Sequence, residues 1–424
     1  MTKIKLHWQI LGAIVLAGLA GYLAGEESSI FGVTFYSMFD FAGTLFLNAL
    51  KMIIVPLIMA SIISGIAGLG SSQGLGRLGA KTISFYMISS LVAILVGLAV
   101  VNIVQPGIID GQPAGPQLGL TTNAEETETM LSKVEGKDGG DIAEVFLRMV
   151  PTNIVKAASD GQMLGLIFFA ILFAVFMMKL EKQYSEPMKN LWEGLFQTMM
   201  GITMFVMMFA PIGVFGLVAK TVAKTGLESI LPMLTFFATV LGALMIHAFI
   251  TLPVLLKTVA KVNPIKHIKA MSPAMLTAFS TASSSATLPL SLKCIEENAG
   301  VSNRTSSFVL PLGATINMDG TALYECVAAM FIAQAYGLEL SLTIQFTIVL
   351  VALLTSIGVA GIPSASLVAI TIILGSIGLP AEGIGLLLVT DRILDMCRTS
   401  VNVFSDSCGA VMIARTEGEK TLVT

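Results

Sequence analysis

Charged residues are scarce in this chain. Lys, Arg, Asp and Glu make up only 12% of its 424 residues, whereas hydrophobic residues make up 55% and the mean hydropathy is +0.86. So little charge excludes an ordinary soluble domain, and the apolar runs have the length of helices rather than of the short alternating strands of a membrane barrel. The composition therefore predicts an all-α integral membrane protein. The net charge is −3 and the sequence has no cluster of basic residues, so nucleic acid is not an expected partner.

Histidine and cysteine are also rare. The three histidines are scattered along the chain: His7, His247 and His267. The four cysteines lie in or beside apolar segments and form no metal-type pair: Cys294, Cys326, Cys397 and Cys408. We expect the cysteines to be small buried hydrophobic residues. Neither a zinc site nor a histidine-centred catalytic group is expected, and no enzymatic reaction is predicted.

Apolar segments of helical length fill the first 260 residues. Hydropathy predicts helices near residues 8–25, 36–70, 80–107, 143–180, 186–219 and 227–258. Lys3 and Lys5 before the first segment resemble the start of a signal peptide, but the many later spans indicate an uncleaved helix. Basic residues cluster on alternate connections, with Lys220 and Lys224 as the exception, so both termini are expected to be cytoplasmic. The acidic segment at 108–142 is then an external loop.

A serine-dense segment lies between two apolar stretches that are each too short to cross a bilayer. It runs from Phe279 to Pro289 within residues 264–295. This pattern predicts a re-entrant helical hairpin, whose free backbone groups at the tip would have to line a protein cavity. An ordinary helix with small packing residues is the alternative. A second hairpin is predicted over residues 342–377, with its tip between Ser356 and Ser366.

Glycines interrupt the apolar segment at residues 302–337. Gly313 and Gly320 flank Asn317 and Asp319, which favours a break where carbonyls, an amide and a carboxylate are available. Such oxygen ligands suit an alkali cation. A kink with a locally satisfied aspartate is the alternative interpretation. A hairpin followed by a broken span is thus succeeded by a second hairpin and the polar span. The two hairpins are predicted to enter the membrane from opposite sides, as in the inverted repeats of secondary transporters.

The segment near residues 382–416 holds a polar stripe within a helix of membrane length. At about 100° per residue, five polar side chains fall within roughly 80° on one face: Asp391, Asp395, Arg398, Asn402 and Asp406. Charged groups at bilayer depth are rare and usually line a cavity or an ion path. The stripe therefore indicates a binding surface, and a structural ladder of buried ion pairs is the alternative.

Four ordered motifs together resemble the dicarboxylate/amino acid:cation symporters, the glutamate transporter family. The motifs are Ser283 to Pro289, Asn317 to Thr321, Gly361 to Pro363 and Asp395 to Thr399. The resemblance covers nearly the whole chain. It implies a bacterial-type, elevator-type transporter with eight transmembrane helices plus two re-entrant hairpins, assembled as a homotrimer among the lipids of a prokaryotic inner membrane.

The resemblance also implies a division into domains. Scaffold helices 1 and 2 would occupy residues 1–70, and scaffold helices 4 and 5 would occupy residues 143–219. The moving transport domain would combine helix 3 at 71–107 with helix 6, hairpin 1 near 264–295, helix 7 near 302–337, hairpin 2 near 342–377 and helix 8 near 382–416, all within residues 220–424. Hairpin 2 would serve as the outer gate.

A substrate pocket is implied by the same resemblance. Arg398 would hold the side-chain carboxylate of an acidic amino acid, Asp395 its ammonium, and Asn402 with backbone near Ser284 its α-carboxylate. The pocket would be completed by Thr321, Thr399, Gly361 and Ile362. A C4-dicarboxylate carrier would not need Asp395, and a neutral amino acid carrier would not need Arg398. The combination therefore favours aspartate or glutamate.

Co-transported sodium is expected at about three sites. The resemblance assigns one site to Asp406 and Asn402 with carbonyls of Gly313 and Asn317. It assigns a second to Asp319 and Asn317 with Tyr86, Ser89 and Ser90, and a third to carbonyls of Thr315, Ser356, Ile357 and Val359. A charge count independently favours cations, because four aspartates of the polar core oppose only two arginines, Arg392 and Arg398.

Two positions depart from many relatives. Ala282 and Met396 stand where an arginine is common, and Arg392 lies one helical turn before Met396. Some bacterial members with this arrangement are proton-coupled, so a proton-driven symporter is the main alternative, whereas Asp406 favours sodium. Outside the transporter class, an intramembrane aspartyl protease using Asp319 and Asp395 is a remote alternative, and a pure ion channel is another.

Overall fold

The computed structural model describes residues 6–69, 76–120, 147, 150–159, 163–226, 230–358, 365–379 and 383–423. These residues are mostly helical, which confirms the predicted class. Their strands form two short antiparallel hairpins, in which β1 (Ser29–Ile30) pairs with β2 (Val33–Thr34) and β3 (Ile108–Ile109) pairs with β4 (Gln112–Pro113). The β3–β4 hairpin lies at the beginning of the predicted external loop.

The first half of the chain contributes seven described helices. They are α1 (Leu6–Ala24), α2 (Phe35–Leu69), α3 (Gly76–Val104), α4 (Ile154–Ser159), α5 (Met163–Met177), α6 (Lys182–Met208) and α7 (Ala210–Thr225). By length and composition, Arg77–Val104 in α3 suffices to cross a bilayer. The pair Lys182–Val206 and Ala210–Lys224 passes the same criterion as one span with a bend of 54°.

The second half begins with a long helix that contains two π-helical turns. The helix α8 (Ile230–Ile246) continues through a π turn at His247–Thr251, α9 (Leu252–Leu255) and a second π turn at Leu256–Ala260. Together these segments include the second apolar span, Leu231–Ala260. A single π turn inside an α-helix rotates the side chains that follow and is often found at functional sites.

The remaining helices are shorter, except for the last. They are α10 (Pro264–Thr281), α11 (Ser284–Lys293), α12 (Asn303–Ile316), α13 (Asp319–Ala335), α14 (Leu342–Gly358), α15 (Ala365–Ser376) and α16 (Ile384–Thr416). The helices α10 and α11 pack against each other, as do α14 and α15. The pairs occupy the two segments predicted as hairpins, and the predicted tip of the second pair lies partly outside the described residues. The count of eight spans stays a prediction.

Two helices that the sequence predicts as continuous are interrupted in the structure. The continuous helix expected at 143–180 is not helical at residues 150–153 and resumes as α4. The reason is local, because Pro151 disfavours helix at the preceding residue and the Asn153 side chain caps the new start by accepting from the Val155 and Lys156 amides at 2.9 and 3.0 Å. The helix expected at 186–219 bends where Pro211 opens α7.

The described helices form two groups, and the members of each group pack mainly against one another. In the first group, α2 contacts α5, α6 and α7, and α1 lies along α7. The approach of α2 and α7 is close, since a Cβ at Gly216 would lie 2.6 Å from the Phe39 carbonyl oxygen, and Lys220 pairs with Asp40 at 2.5 Å. In the second group, α16 contacts α8, α10, α12 and α13, while α13 also packs on α3. The buried polar residues of the chain lie mainly in this second group.

Candidate functional site

All five polar side chains of the predicted stripe lie on the single helix α16 and are buried. Their exposed fractions are 2% for Asp391, 7% for Asp395, 1% for Arg398, 4% for Asn402 and 3% for Asp406. The 3.6-residue repeat therefore places them on one face, as the spacing predicted. They do not form one continuous ladder of ion pairs, because contacts with other helices divide them into two clusters.

The first cluster is centred on the Arg398 guanidinium. Its Nη1 donates to Asp391 Oδ1 at 3.1 Å, and its Nη2 donates to Asp391 Oδ1 at 3.1 Å and to Asp395 Oδ1 at 2.9 Å. The guanidinium carbon lies 3.9 Å from the centroid of the Tyr324 ring, a favourable cation–π distance. Among the described residues, Arg398 Nε has no hydrogen-bond partner, so one donor of a buried arginine is left for another group.

Arg392 belongs to the same cluster. Its Nη1 donates to Asp395 Oδ2 at 3.4 Å, opposite the oxygen that Arg398 contacts. Asp395 is therefore held between two guanidinium groups on one helix. With Asp391 included, two arginines face two aspartates, and this cluster is balanced in charge.

Asn402 joins α16 to the broken helix. Its Oδ1 accepts from the Gly320 amide at 2.8 Å, and its Nδ2 donates to Thr321 Oγ1 at 3.1 Å. Thr399 Oγ1 donates to the Asp395 carbonyl at 2.7 Å, and Thr399 is buried. Ser284 is also buried and begins α11, which packs against α16.

The second cluster is centred on the Asp319 carboxylate at the start of α13. Oδ1 accepts from Ser89 Oγ at 3.2 Å and from Ser90 Oγ at 2.7 Å, and both serines lie on α3. Oδ2 accepts from Ser405 Oγ at 2.6 Å and from His247 Nε2 at 3.1 Å. Asp319 and His247 have no exposed surface. Four donors from three different segments thus surround one carboxylate.

Asn317, in the break between α12 and α13, connects Asp319 to Asp406. Its Nδ2 donates to Asp406 Oδ1 at 2.9 Å, and its Oδ1 accepts from Ser89 Oγ at 3.3 Å. Gly313 lets the carboxylate approach, because a Cβ there would lie 2.6 Å from Asp406 Cγ and 2.7 Å from the Tyr86 hydroxyl. That hydroxyl donates to the Val309 carbonyl at 2.7 Å. The residues predicted for two cation sites therefore lie together.

Charge is unequally divided between the two clusters. Among the described residues, no lysine or arginine lies within ion-pair distance of Asp319 or Asp406. The excess of carboxylates counted in the sequence therefore belongs to the Asp319 and Asp406 cluster. Buried carboxylates without cations are strongly unfavourable, so this cluster is suited to a positively charged ligand.

The residues predicted for the third cation site are only partly described. Thr315 lies near the end of α12, and its Oγ1 donates to the Leu312 carbonyl at 2.9 Å. Ser356 is buried near the end of α14, which packs against α12. Ile357 lies on α14, whereas Val359 and the predicted pocket residues Gly361 and Ile362 are outside the described residues.

Sequence reasoning missed two buried groups in this region. His247, which its position in the sequence does not connect to any other polar group, contacts Asp319 from the first π turn of the α8 segment. Glu325 on α13 has no exposed surface; its Oε2 accepts from Thr355 Oγ1 at 3.0 Å, and its Oε1 has no partner among the described residues. Both residues interrupt apolar runs. A polar group inside a membrane span is a sign of function that was available in the sequence.

A broken helix beside buried carboxylates, arginines and hydroxyl groups is a feature of secondary transporters. The sequence matches the sodium:dicarboxylate symporter family over residues 6–416, and the chain belongs to that family. Because members of the family are transporters, this protein is a membrane symporter and not an enzyme.

Individual relatives agree with this assignment. The chain is 35% identical over 415 residues to the proton/glutamate-aspartate symporter of Escherichia coli K12, covering 98% of this chain and 93% of the relative. It is 34% identical over 422 residues to a proton/sodium-glutamate symport protein of Geobacillus stearothermophilus, covering 99% and 96%. It is also 34% identical over 450 residues to mouse excitatory amino acid transporter 3, covering 96% and 85%.

Proposed function

We propose that this protein carries aspartate or glutamate across the prokaryotic inner membrane, driven by an inward sodium gradient. The names of three similar transporters support the substrate class. The observation that carries the proposal is the pair of buried carboxylates, Asp319 and Asp406, which hydrogen bonds connect through Ser89 and Asn317. Among the described residues, no lysine or arginine lies within ion-pair distance of either carboxylate. Sodium binding would compensate their charge and would couple the cation to the substrate cluster on the same helix.

These contacts support a proposal of two cation sites. One uses the carboxylate of Asp319 with the hydroxyls of Ser89 and Ser90, which already lie within 3.2 Å of it. The other uses Asp406 with Asn317 and Asn402 and the carbonyl of Gly313. Hard oxygen ligands of this kind suit sodium. Asn317 and Tyr86 would complete the site at Asp319, and a third site would use the carbonyls of Thr315, Ser356, Ile357 and Val359.

The substrate pocket lies at the Arg398 cluster. Arg398 Nε, which has no partner among the described residues, would donate to the side-chain carboxylate of the substrate. Asp395 would receive its ammonium, and Asn402 with Thr321 and backbone near Ser284 would hold its α-carboxylate. The pocket would be completed by Thr399, Gly361 and Ile362. The two guanidinium groups beside Asp395 keep the charge of the pocket balanced before substrate arrives.

Transport would follow an elevator mechanism in a homotrimer. The first group of helices, α1, α2, α5, α6 and α7, is suited to form the scaffold, because its members pack mainly on one another. The second group, built on α3, α8 and α10 to α16, contains both clusters and would move as the transport domain. Hairpin 2 would act as the outer gate, and both termini would be cytoplasmic.

Proton coupling is the second candidate, and Glu325 favours it. This carboxyl group is buried, and its Oε1 has no hydrogen-bond partner among the described residues. A proton on that oxygen would neutralise the buried carboxyl group, which would then cross the membrane with the moving domain. Two bacterial relatives carry the word proton in their names. The variant Glu325→Gln would then remove the effect of a proton gradient while leaving any effect of sodium.

Uptake into proteoliposomes tests the proposal. Radiolabelled aspartate and glutamate are compared under an inward sodium gradient at equal pH and under an inward proton gradient in sodium-free buffer. We expect sodium to drive concentrative uptake, because among the described residues no lysine or arginine lies beside the carboxylates of Asp319 and Asp406. Uptake driven by protons without sodium would contradict the sodium assignment and support the second candidate. Uptake of neither amino acid under either gradient would contradict the substrate class.

A further inference from the structure

An apolar crevice separates the two groups of helices. It has a volume of about 390 Å³ and lies between α1 and α7 on one side and α8 and α16 on the other. Val15 and Gly18 of α1 line it opposite Leu234 of α8 and Ile393 of α16. Voids in a well-packed protein are seldom larger than one water molecule, so a crevice of this volume is too large to be a packing defect.

The polar side chains of the crevice wall are already satisfied. The lining includes two threonines, Thr221 and Thr390. Thr221 Oγ1 donates to the Leu217 carbonyl at 2.9 Å, and Thr390 Oγ1 donates to the Leu387 carbonyl at 3.3 Å, each within its own helix. A water molecule needs two to four polar partners in a cavity. The wall therefore does not suit water, and it does not suit a polar solute.

The crevice opens to the outer surface of the helices. Val15 is 65% exposed, and Leu234 is 60% exposed. An exposed apolar surface on membrane-spanning helices is suited to contact with lipid hydrocarbon. The lining comes from the middle of α1, the second half of α7 and the beginnings of α8 and α16. The crevice therefore lies between the middle of the helices and one end, which is the external end under the proposed orientation.

We infer that this crevice is a binding site for a hydrocarbon chain of a membrane phospholipid. An empty crevice would forfeit the dispersion contacts of its whole wall, and a chain entering from the bilayer restores them. The binding energy comes from packing rather than from transfer out of water, because the chain is already in an apolar medium. The bound chain lies between the helices proposed as scaffold and those proposed as transport domain, so it separates surfaces that must slide.

Gly18 provides the variant that tests the site. A Cβ at Gly18 would have no heavy atom within 4 Å, so Gly18→Leu places a four-carbon side chain in space that the crevice otherwise offers to a ligand. Gly12 gives the matched control, because it lies on the same helix, a Cβ there also meets nothing within 4 Å, and it does not line the crevice. Gly12→Leu therefore introduces the same side chain at an ordinary lipid-facing position.

The measurement is photolabelling by a phospholipid with a diazirine in its acyl chain, in nanodiscs of otherwise unlabelled phospholipid. Labelled peptides are quantified by mass spectrometry. We expect the native protein and Gly12→Leu to be labelled at Val15, Leu234 and Ile393, and Gly18→Leu to lose labelling there by about threefold or more as packing contacts are lost. Labelling at other exposed apolar residues serves as the reference within each sample.

Two results would overturn the inference. The first is labelling of the crevice residues that does not exceed the labelling of other exposed apolar residues, which indicates ordinary contact with the bilayer. The second is equal labelling in Gly18→Leu and Gly12→Leu, with both variants eluting as the native protein does. Because the readout is a covalent label and not uptake, these results are independent of which substrate and cation the protein carries.

Discussion

His247 Nε2 lies 3.1 Å from Asp319 Oδ2, and neither side chain has any exposed surface. The other donors to Asp319 are the hydroxyls of Ser89, Ser90 and Ser405. A hydroxyl can rotate its hydrogen away and offer a lone pair to a cation, whereas the ring N–H of His247 has a fixed direction. His247 is therefore the donor that can hold Asp319 in the same orientation with or without a bound cation.

We predict that His247→Leu weakens cation binding more than substrate binding. Loss of an outer hydrogen bond to a metal ligand typically lowers metal affinity about 10-fold to 100-fold. The measurement is the sodium concentration for half-maximal aspartate binding to the purified protein. His247→Gln, which keeps an N–H donor, is expected to recover part of the loss.

The prediction for His247 can fail independently of the proposed function. If the native protein shows no dependence on sodium, the sodium assignment itself is wrong. If the native protein depends on sodium and His247→Leu leaves that dependence unchanged, Asp319 binds the cation without help from the histidine. Aspartate affinity at saturating sodium checks that the variant still forms the pocket.

Replacement of Arg398 is predicted to change the substrate. Arg398→Cys removes the guanidinium group that contacts Asp391 and Asp395, and breaking a buried pair typically costs about 3–5 kcal/mol. We expect acidic amino acid uptake to be abolished and uptake of serine or cysteine to appear. Arg304→Cys, at an exposed position, is the control. Unchanged glutamate uptake by Arg398→Cys would contradict the assignment of the pocket.

A single methyl group at Gly313 is predicted to disturb the cation cluster. The Cβ of Gly313→Ala would lie 2.6 Å from Asp406 Cγ and 2.7 Å from the Tyr86 hydroxyl, so the carboxylate must move. We expect the sodium requirement to rise by about 10-fold, the size typical of a disturbed metal ligand. Gly242→Ala is the matched control, because its Cβ would meet nothing within 4 Å. An equal sodium response in both variants would contradict a role for Gly313.

Glu417 is predicted to make stability depend on pH. It accepts from Arg77 at 2.8 Å and from Lys81 at 2.5 Å beyond the end of α16. The hydrogen bond from Arg77 and then that from Lys81 lower the pKa of Glu417 from 4.5 to about 2. A carboxyl whose pKa is lowered by folding stabilises the folded state above its unfolded pKa and loses this contribution as pH falls through the folded value.

Thermal unfolding of the native protein and Glu417→Gln checks this sign. We expect the native protein to have the higher Tm near neutral pH, and the difference to shrink as the pH falls from about 4.5 toward about 2. High salt should reduce the difference as well, because the pairs lie near the surface. A difference that grows with acidification would show that the ionised carboxylate does not stabilise this end of the helix.

The helical class and the position of the polar face were determined by the sequence alone. The polar residues of α16 are three or four positions apart, and such spacing fixes a shared face in any α-helix. The break at Asn317 and Met318 followed from the glycines around it. In contrast, the bend at Pro211 and the π turn at His247 were not predicted, because apolar composition is the same in straight and distorted spans.

The partners of each charged group were decided only by the tertiary structure. Hydropathy could not show that Asp391 and Asp395 neutralise Arg398 while Asp319 and Asp406 share no lysine or arginine in the described chain. The contact between Ser90 and Asp319 joins residues 229 positions apart. Local spacing carries no information about such a contact, because it depends on how α3, α8, α13 and α16 pack together.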